Sequence, residues 1–104
     1  MKEKLLKTIN HYGVTNQQRK LNEEIYELQE AITTHELKKS VEYEIPLTEI
    51  IGTKEHIAEE IADVLNVVEQ FIFYYEIDVQ DVIEIKHRKM DRQMERIKDE
   101  NKMS

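Results

Sequence analysis

Two acidic clusters carry the chemical content of this sequence: Glu23-Glu24-Ile25-Tyr26-Glu27 and Glu59-Glu60-Ile61-Ala62-Asp63. Each has the form E-E-x-x-(E/D), and each interrupts an apolar pattern of helical period. Glu24 and Glu27 stand three residues apart, as do Glu60 and Asp63. On a helix each pair projects from one side, one turn apart. Four carboxylates aimed from two helices at one point would form a site for a hard cation. Oxygen-only ligands favour Mg²⁺, Mn²⁺ or Ca²⁺ over zinc or copper. A di-iron bundle would need Glu-x-x-His pairs, and neither cluster contains one.

A solvated helix face usually sets Lys or Arg four residues from Glu. Glu27, Glu60 and Asp63 have no Lys or Arg three or four residues away on either side. Glu23 instead stands four from Glu27, and Glu59 four from Asp63, so like charges stack. Of the four paired acids only Glu24 has a basic neighbour at such a spacing, Lys20. The clusters therefore need a cation from elsewhere. One source is a divalent metal. The other is the basic C-terminal stretch, which holds Lys86, His87, Arg88, Lys89, Arg92, Arg96 and Lys98. A salt-bridge lattice with that stretch would make the chain a non-catalytic helical oligomerisation or interaction module. His11, His35, His56 and His87 show no ligand spacing and read as surface or helix-end residues. His56, one turn before Glu60, is the exception worth following. No glycine-rich phosphate loop is present.

The elements that must position the acids follow from apolar periodicity. Leu5, Leu6, Ile9 and Tyr12 predict a short first helix that closes near Gly13. Thr15 or Asn16 is placed to cap a second helix, whose stripe is Leu21, Ile25, Leu28 and Ile32. It is expected to fade between Thr34 and Lys39. Residues 40–53, which hold Pro46 and Gly52, read as the main connection with room for a short extra helical turn. A third helix is expected from Lys54 to Tyr75, with the stripe Ile57, Ile61, Val64, Leu65, Val68, Phe71, Ile72 and Tyr75. Asp78 can cap a fourth helix that uses Val79, Val82, Ile83, Met90, Met94 and Ile97. Residues 99–104 read as a frayed tail.

On a helical wheel, Glu24 lies roughly 70° and Glu27 roughly 130° from the centre of the second stripe. Glu60 and Asp63 lie roughly 80° and 140° from the third. Antiparallel packing through the two stripes would set both pairs along one groove at the edge of the core.

The bulk composition agrees with an all-α, four-helix bundle in a single domain of 104 residues. Two glycines and one proline leave little room for a turn-rich β fold, and charged residues make up 36% of the chain. The net charge of −7 argues against nucleic-acid binding. The absence of cysteine excludes disulfides and thiolate metal sites. The stretch Ile61 to Ile77 contains too many polar residues to span a membrane, and no signal peptide is evident, so a cytoplasmic location is expected. Apolar surface at Val67, Phe73 and Tyr74, outside the main stripe, predicts a partner helix from a second copy.

E-E-x-x-E on one helix followed by E-E-x-x-D on the next resembles the MazG-like nucleotide pyrophosphohydrolases of the all-α NTP pyrophosphatase superfamily. The matching residues are Glu23, Glu24 and Glu27, then Glu59, Glu60 and Asp63. Lys89-Met90-Asp91-Arg92-Gln93 is similar to the family's basic K-x-x-R segment. The resemblance spans residues 15–97. Two stretches depart from the family pattern, the polar run Gln17 to Asn22 and the long connection from Lys38 to Lys54. Both fall where substrate contacts are expected.

The resemblance implies hydrolysis of a nucleoside triphosphate between the α and β phosphates, giving a monophosphate and pyrophosphate. It implies Mg²⁺, with Mn²⁺ as a substitute, held by Glu24, Glu27, Glu60 and Asp63. Glu23 or Glu59 would then orient or deprotonate the attacking water. Lys86, Lys89, Arg92 and Gln93 would hold the departing pyrophosphate, and Asn66 would bind sugar or phosphate. A homodimer or homotetramer is expected on the same basis. No residue set distinguishes one base or sugar from another.

Overall fold

A computed structural model describes residues 1–103 as four helices, with no strand among them: α1 (Lys2–Tyr12), α2 (Val14–Ser40), α3 (Leu47–Tyr74) and α4 (Val79–Met103). The chain divides into two compact units. One holds Met1–Tyr74, and the other begins at Tyr75.

Gly13 separates α1 from α2 by itself. It adopts φ 89°, a left-handed conformation that a side chain would strain. Its carbonyl accepts the first backbone bond of α2, from Gln17, at 3.0 Å. The expected cap at Thr15 or Asn16 is therefore wrong: α2 begins at Val14, and the Asn16 amide instead donates back to the Tyr12 carbonyl at 2.7 Å. The long connection is also shorter than expected. α2 runs on to Ser40, and α3 starts at Leu47, directly after Pro46, whose carbonyl receives the Glu49 amide at 3.0 Å. Pro46 marks a helix start, where its missing N–H costs nothing, and Gly52 lies inside α3. Asp78 caps α4, its Oδ1 accepting the Gln80 amide at 2.8 Å. The helix is unbroken through Met103, past Asp99, where a frayed tail was expected. Ser104, the last residue of that tail, lies outside the described residues.

α2 and α3 pack antiparallel. Gln17 bonds Gln70, His35 meets Thr53 and Lys38 pairs with Glu49, so numbers rise on one helix as they fall on the other. They meet through only one side of each apolar stripe: Leu21 and Leu28 on α2, and Ile57, Val64 and Phe71 on α3, are half-buried. The buried seam is Gln17, Glu24 and Ala31 on α2, facing Glu60, Val67 and Gln70 on α3. Gln17, Glu24 and Ala31 recur every seven residues, as do Glu60 and Val67, the repeat of helices that run nearly alongside each other. α1 covers one end of this seam with Leu5 and Ile9, and Ile9 is fully buried. Val67, expected to need a second copy, is buried within the chain, and the ammonium of Lys2 lies 5.7 Å over the Phe73 ring.

The other side of each stripe is uncovered. Ile25 and Ile32 on α2, and Ile61 and Val68 on α3, are all exposed, and Leu65 is exposed by 49%. Among the described residues of α4 none is buried, and Val79, Ile83, Met90, Met94 and Ile97 are all exposed.

Candidate functional site

The acids stand in the middle of the α2–α3 seam. Glu24 is 4% exposed and Glu60 is 8% exposed, although the wheel had set both at the edge of the core. The reason is the choice of contact face. Because the contact takes in only one edge of each stripe, positions roughly 70–80° off the stripe centres become central. One carboxylate oxygen each from Glu24, Glu60 and Asp63 lie within 4.8 Å of one another. Asp63 is exposed and forms the open side of this group.

Glu27, the fourth acid of the expected set, lies outside that group of three and is solvent-exposed. It still senses the site. The charge of Glu24, then loss of solvation, then the charge of Glu60 raise its carboxyl pKa above the ordinary 4.5. Like charges drive that shift, which is the repulsion expected from stacked acids without enough counter-charge.

Two oxygens are unpaid electrostatically. Glu24 Oε2 and Glu60 Oε2 are buried and have no hydrogen-bond partner. A buried carboxylate oxygen left without a donor is costly, and native structures rarely keep one unless something else satisfies it. The other oxygen of Glu24 is paired: Lys20 Nζ lies 2.9 Å from Glu24 Oε1. That hydrogen bond and the Glu24 charge raise the Lys20 pKa above its ordinary value. His56 approaches from the far side, with Nε2 at 3.7 Å from Glu60 Oε1 and Nδ1 at 3.6 Å from Glu59 Oε2. An all-oxygen donor set with two unsatisfied buried members fits a hard divalent cation.

Beside the acids opens a cavity of about 540 Å³. That is within the size range of small-molecule sites. Glu23, Glu24 and Asp63 line its acidic end, and Arg19, Lys20 and Asn66 flank them. Its floor is apolar and amide: Val67 with the buried pair Gln17 and Gln70, where Gln17 Nε2 donates to Gln70 Oε1 at 2.8 Å. The polar run Gln17 to Asn22 thus supplies several walls of the cavity, through Gln17, Arg19 and Lys20. The stretch Lys38 to Lys54 does not. It contributes Lys39, Ile50, Ile51 and Lys54, with His35, to a separate cavity of about 510 Å³.

Gln70 and Tyr12 also line the site and were not singled out from the sequence. A glutamine amid the most apolar part of α3 was the available signal for the first. Periodicity marked Tyr12 only as part of the α1 apolar pattern; its place beside Thr8 on the cavity wall depends on how α1 packs. Glu59 is exposed and turned to His56, whereas Glu23 lines the cavity. On α4, Lys89, Arg92, Gln93 and Arg96 recur at helical spacing and line one cleft of about 320 Å³. Lys86, one turn earlier, is exposed.

No curated protein and no solved structure matches this chain. A comparison with family-wide sequence patterns does match, over residues 13–97, the MazG nucleotide pyrophosphohydrolase domain. The match spans both acidic clusters and the α4 basic segment, and four helices without a strand agree with the fold of that family. With the match covering most of its length, the chain belongs to the MazG nucleotide pyrophosphohydrolase family.

Proposed function

We propose that the protein hydrolyses the α–β phosphoanhydride of a nucleoside or deoxynucleoside triphosphate, releasing a monophosphate and pyrophosphate, with Mg²⁺ as cofactor. The observation that carries this reading is the pair of buried, partnerless oxygens on Glu24 and Glu60 beside a cavity of nucleotide size. The alternative reading is a structural salt-bridge lattice; within the Met1–Tyr74 unit, Lys20 and His56 meet only the Oε1 atoms of Glu24 and Glu60. Glu24, Glu60 and Asp63 would hold the metal, and Glu27, whose carboxyl feels the charges of Glu24 and Glu60, is the proposed fourth ligand. The bound ion would supply the positive charge that lets a triphosphate approach this acidic seam, and would acidify a water.

The chain's own residues do the rest. Glu23, on the cavity wall, takes the proton of the attacking water. Glu59 is the weaker candidate for that role, because its carboxylate faces His56 and solvent. Asn66 offers an amide to sugar or phosphate. Lys86, Lys89, Arg92 and Gln93 are proposed, on their chemistry alone, as donors to the departing pyrophosphate.

The working unit is proposed to be a homodimer or a tetramer of such dimers. Among the described residues only Leu5, Ile9, Ala31 and Val67 are buried apolar residues, too few for a stable domain of this length, while Ile25, Ile32, Ile61, Leu65 and Val68 of the α2 and α3 stripes are exposed. The decisive experiment incubates a panel of nucleotides with Mg²⁺ and scores monophosphate and pyrophosphate. Chelator should abolish both products. Release of orthophosphate alone, or turnover that survives chelator, would overturn the assignment.

A further inference from the structure

We infer that Lys20 is a resident counter-cation of Glu24, displaced by the divalent ion and then redirected to a phosphate of the nucleotide. The inference rests on the metal-site reading above and adds to it an order of events. Glu24 is almost wholly buried, and its Oε1 already holds the Lys20 ammonium at 2.9 Å. Lys20 itself is anchored by no burial: its side chain is 51% exposed. The pair also runs Lys before Glu at a spacing of four, the weaker order on a helix, since it opposes the helix dipole. A strongly held carboxylate therefore meets a loosely held ammonium.

A divalent ion held by Glu24, Glu60 and Asp63 would share the Glu24 carboxylate with that ammonium, taking Oε2 while Lys20 holds Oε1. Two cations that close repel, and the flexible four-carbon stem lets the singly charged one leave. Its exit is open, because Lys20 lines the cavity next to Arg19 and Asn66. There the freed ammonium meets the negative charge of a triphosphate. Lys20 thus compensates Glu24 before metal arrives and compensates phosphate after. The buried carboxylate is never left bare, and the phosphate donor becomes available only once the metal is in place.

Two titrations test this. Calorimetric titration of Mn²⁺ without nucleotide, into the parent and into Lys20→Met, reads the competition. The variant should bind Mn²⁺ about threefold to tenfold more tightly, the range expected for an ion pair with one buried partner. The second titration uses a nucleoside triphosphate with a methylene α–β bridge at saturating Mn²⁺. Here Lys20→Met should bind at least about threefold more weakly, and Lys20→Arg should restore affinity.

Should Lys20→Met fail to fold, Lys20→Gln, whose amide can still donate to Glu24, takes its place in both. Mn²⁺ uptake by the parent with no gain in the variant overturns the exchange and leaves the metal site intact. Unchanged analogue affinity overturns the phosphate role. No Mn²⁺ uptake by the parent overturns the exchange together with the metal-site reading.

Discussion

Glu60 is the residue at which the metal and salt-bridge readings diverge most sharply. Glu60→Gln is nearly isosteric, so packing is kept while one ligand charge is lost. Metal-dependent hydrolysis should fall on the order of a hundredfold or more, at least what loss of an outer-shell partner costs. In chelator the variant should be as stable as the parent or more so, because the partnerless Glu60 Oε2 no longer carries charge. Mg²⁺ should then raise its melting temperature less than it raises the parent's. Equal destabilisation with and without Mg²⁺, with turnover intact, would rule out a metal role for Glu60. Glu27 gives the matching pH prediction. Its pKa is raised in the folded chain, first by Glu24, so the folded state holds a proton more tightly than the unfolded one. Its contribution to stability in chelator is therefore fully present below the ordinary value of 4.5 and is lost as pH rises through the raised value. Glu27→Gln should flatten that decline in thermal melts. A parent whose chelator stability rises over the same interval, with no change in Glu27→Gln, would show that repulsion at this site is not felt.

At the level of elements, the two glycines make opposite predictions. Gly52 sits inside α3 with open space where a Cβ would stand. Gly52→Ala should stabilise by about 1 kcal/mol, read from urea denaturation. Gly13 also has open space, but its φ of 89° is strained for any side chain. Gly13→Ala should destabilise by about 1–2 kcal/mol and loosen α1 from the seam. The buried Gln17–Gln70 bond ties α2 to α3. Gln17→Leu alone strands the Gln70 amide and should cost about 1–3 kcal/mol, whereas Gln17→Leu with Gln70→Leu should recover most of it. A double variant no better than the single one would show that the pair holds the helices through shape rather than hydrogen bonding. The seam also explains why helix existence was legible and helix contact was not. Periodicity reports which face is apolar. It does not report which of two competing faces a neighbour of the same chain will take.

For the whole molecule, a second copy is the proposed occupant of the exposed side of the two stripes. Light scattering should find at least a dimer at micromolar concentration. Leu65→Lys, placed in the exposed α3 stripe, should weaken that assembly far more than it alters helix content. A parent that is monomeric under those conditions would count against the dimer, and the stripes would then need a different partner.

The sequence by itself determined the helical class and the family, and it named the acids of the candidate site, because each depends on local spacing. Three-residue gaps put carboxylates on one side of a helix whatever that helix later touches. The punctuation at Gly13 and Asp78 was equally local, and both lie at helix ends. Pro46 was read as part of a loop because proline is ambiguous until the following residues are seen to fold back on its carbonyl, as Glu49 does. Only the tertiary structure decided that α2 and α3 meet along a seam of polar residues and one edge of each apolar stripe, rather than through the stripe centres. That choice buried Glu24 and Glu60, joined Gln17 to Gln70, and left Lys20 as the cation at hand. The physical reason is that one chain of this size has more apolar face than it can bury. Which face is turned inward and which is left open depends on all the helices together, and no single stretch of sequence carries that balance.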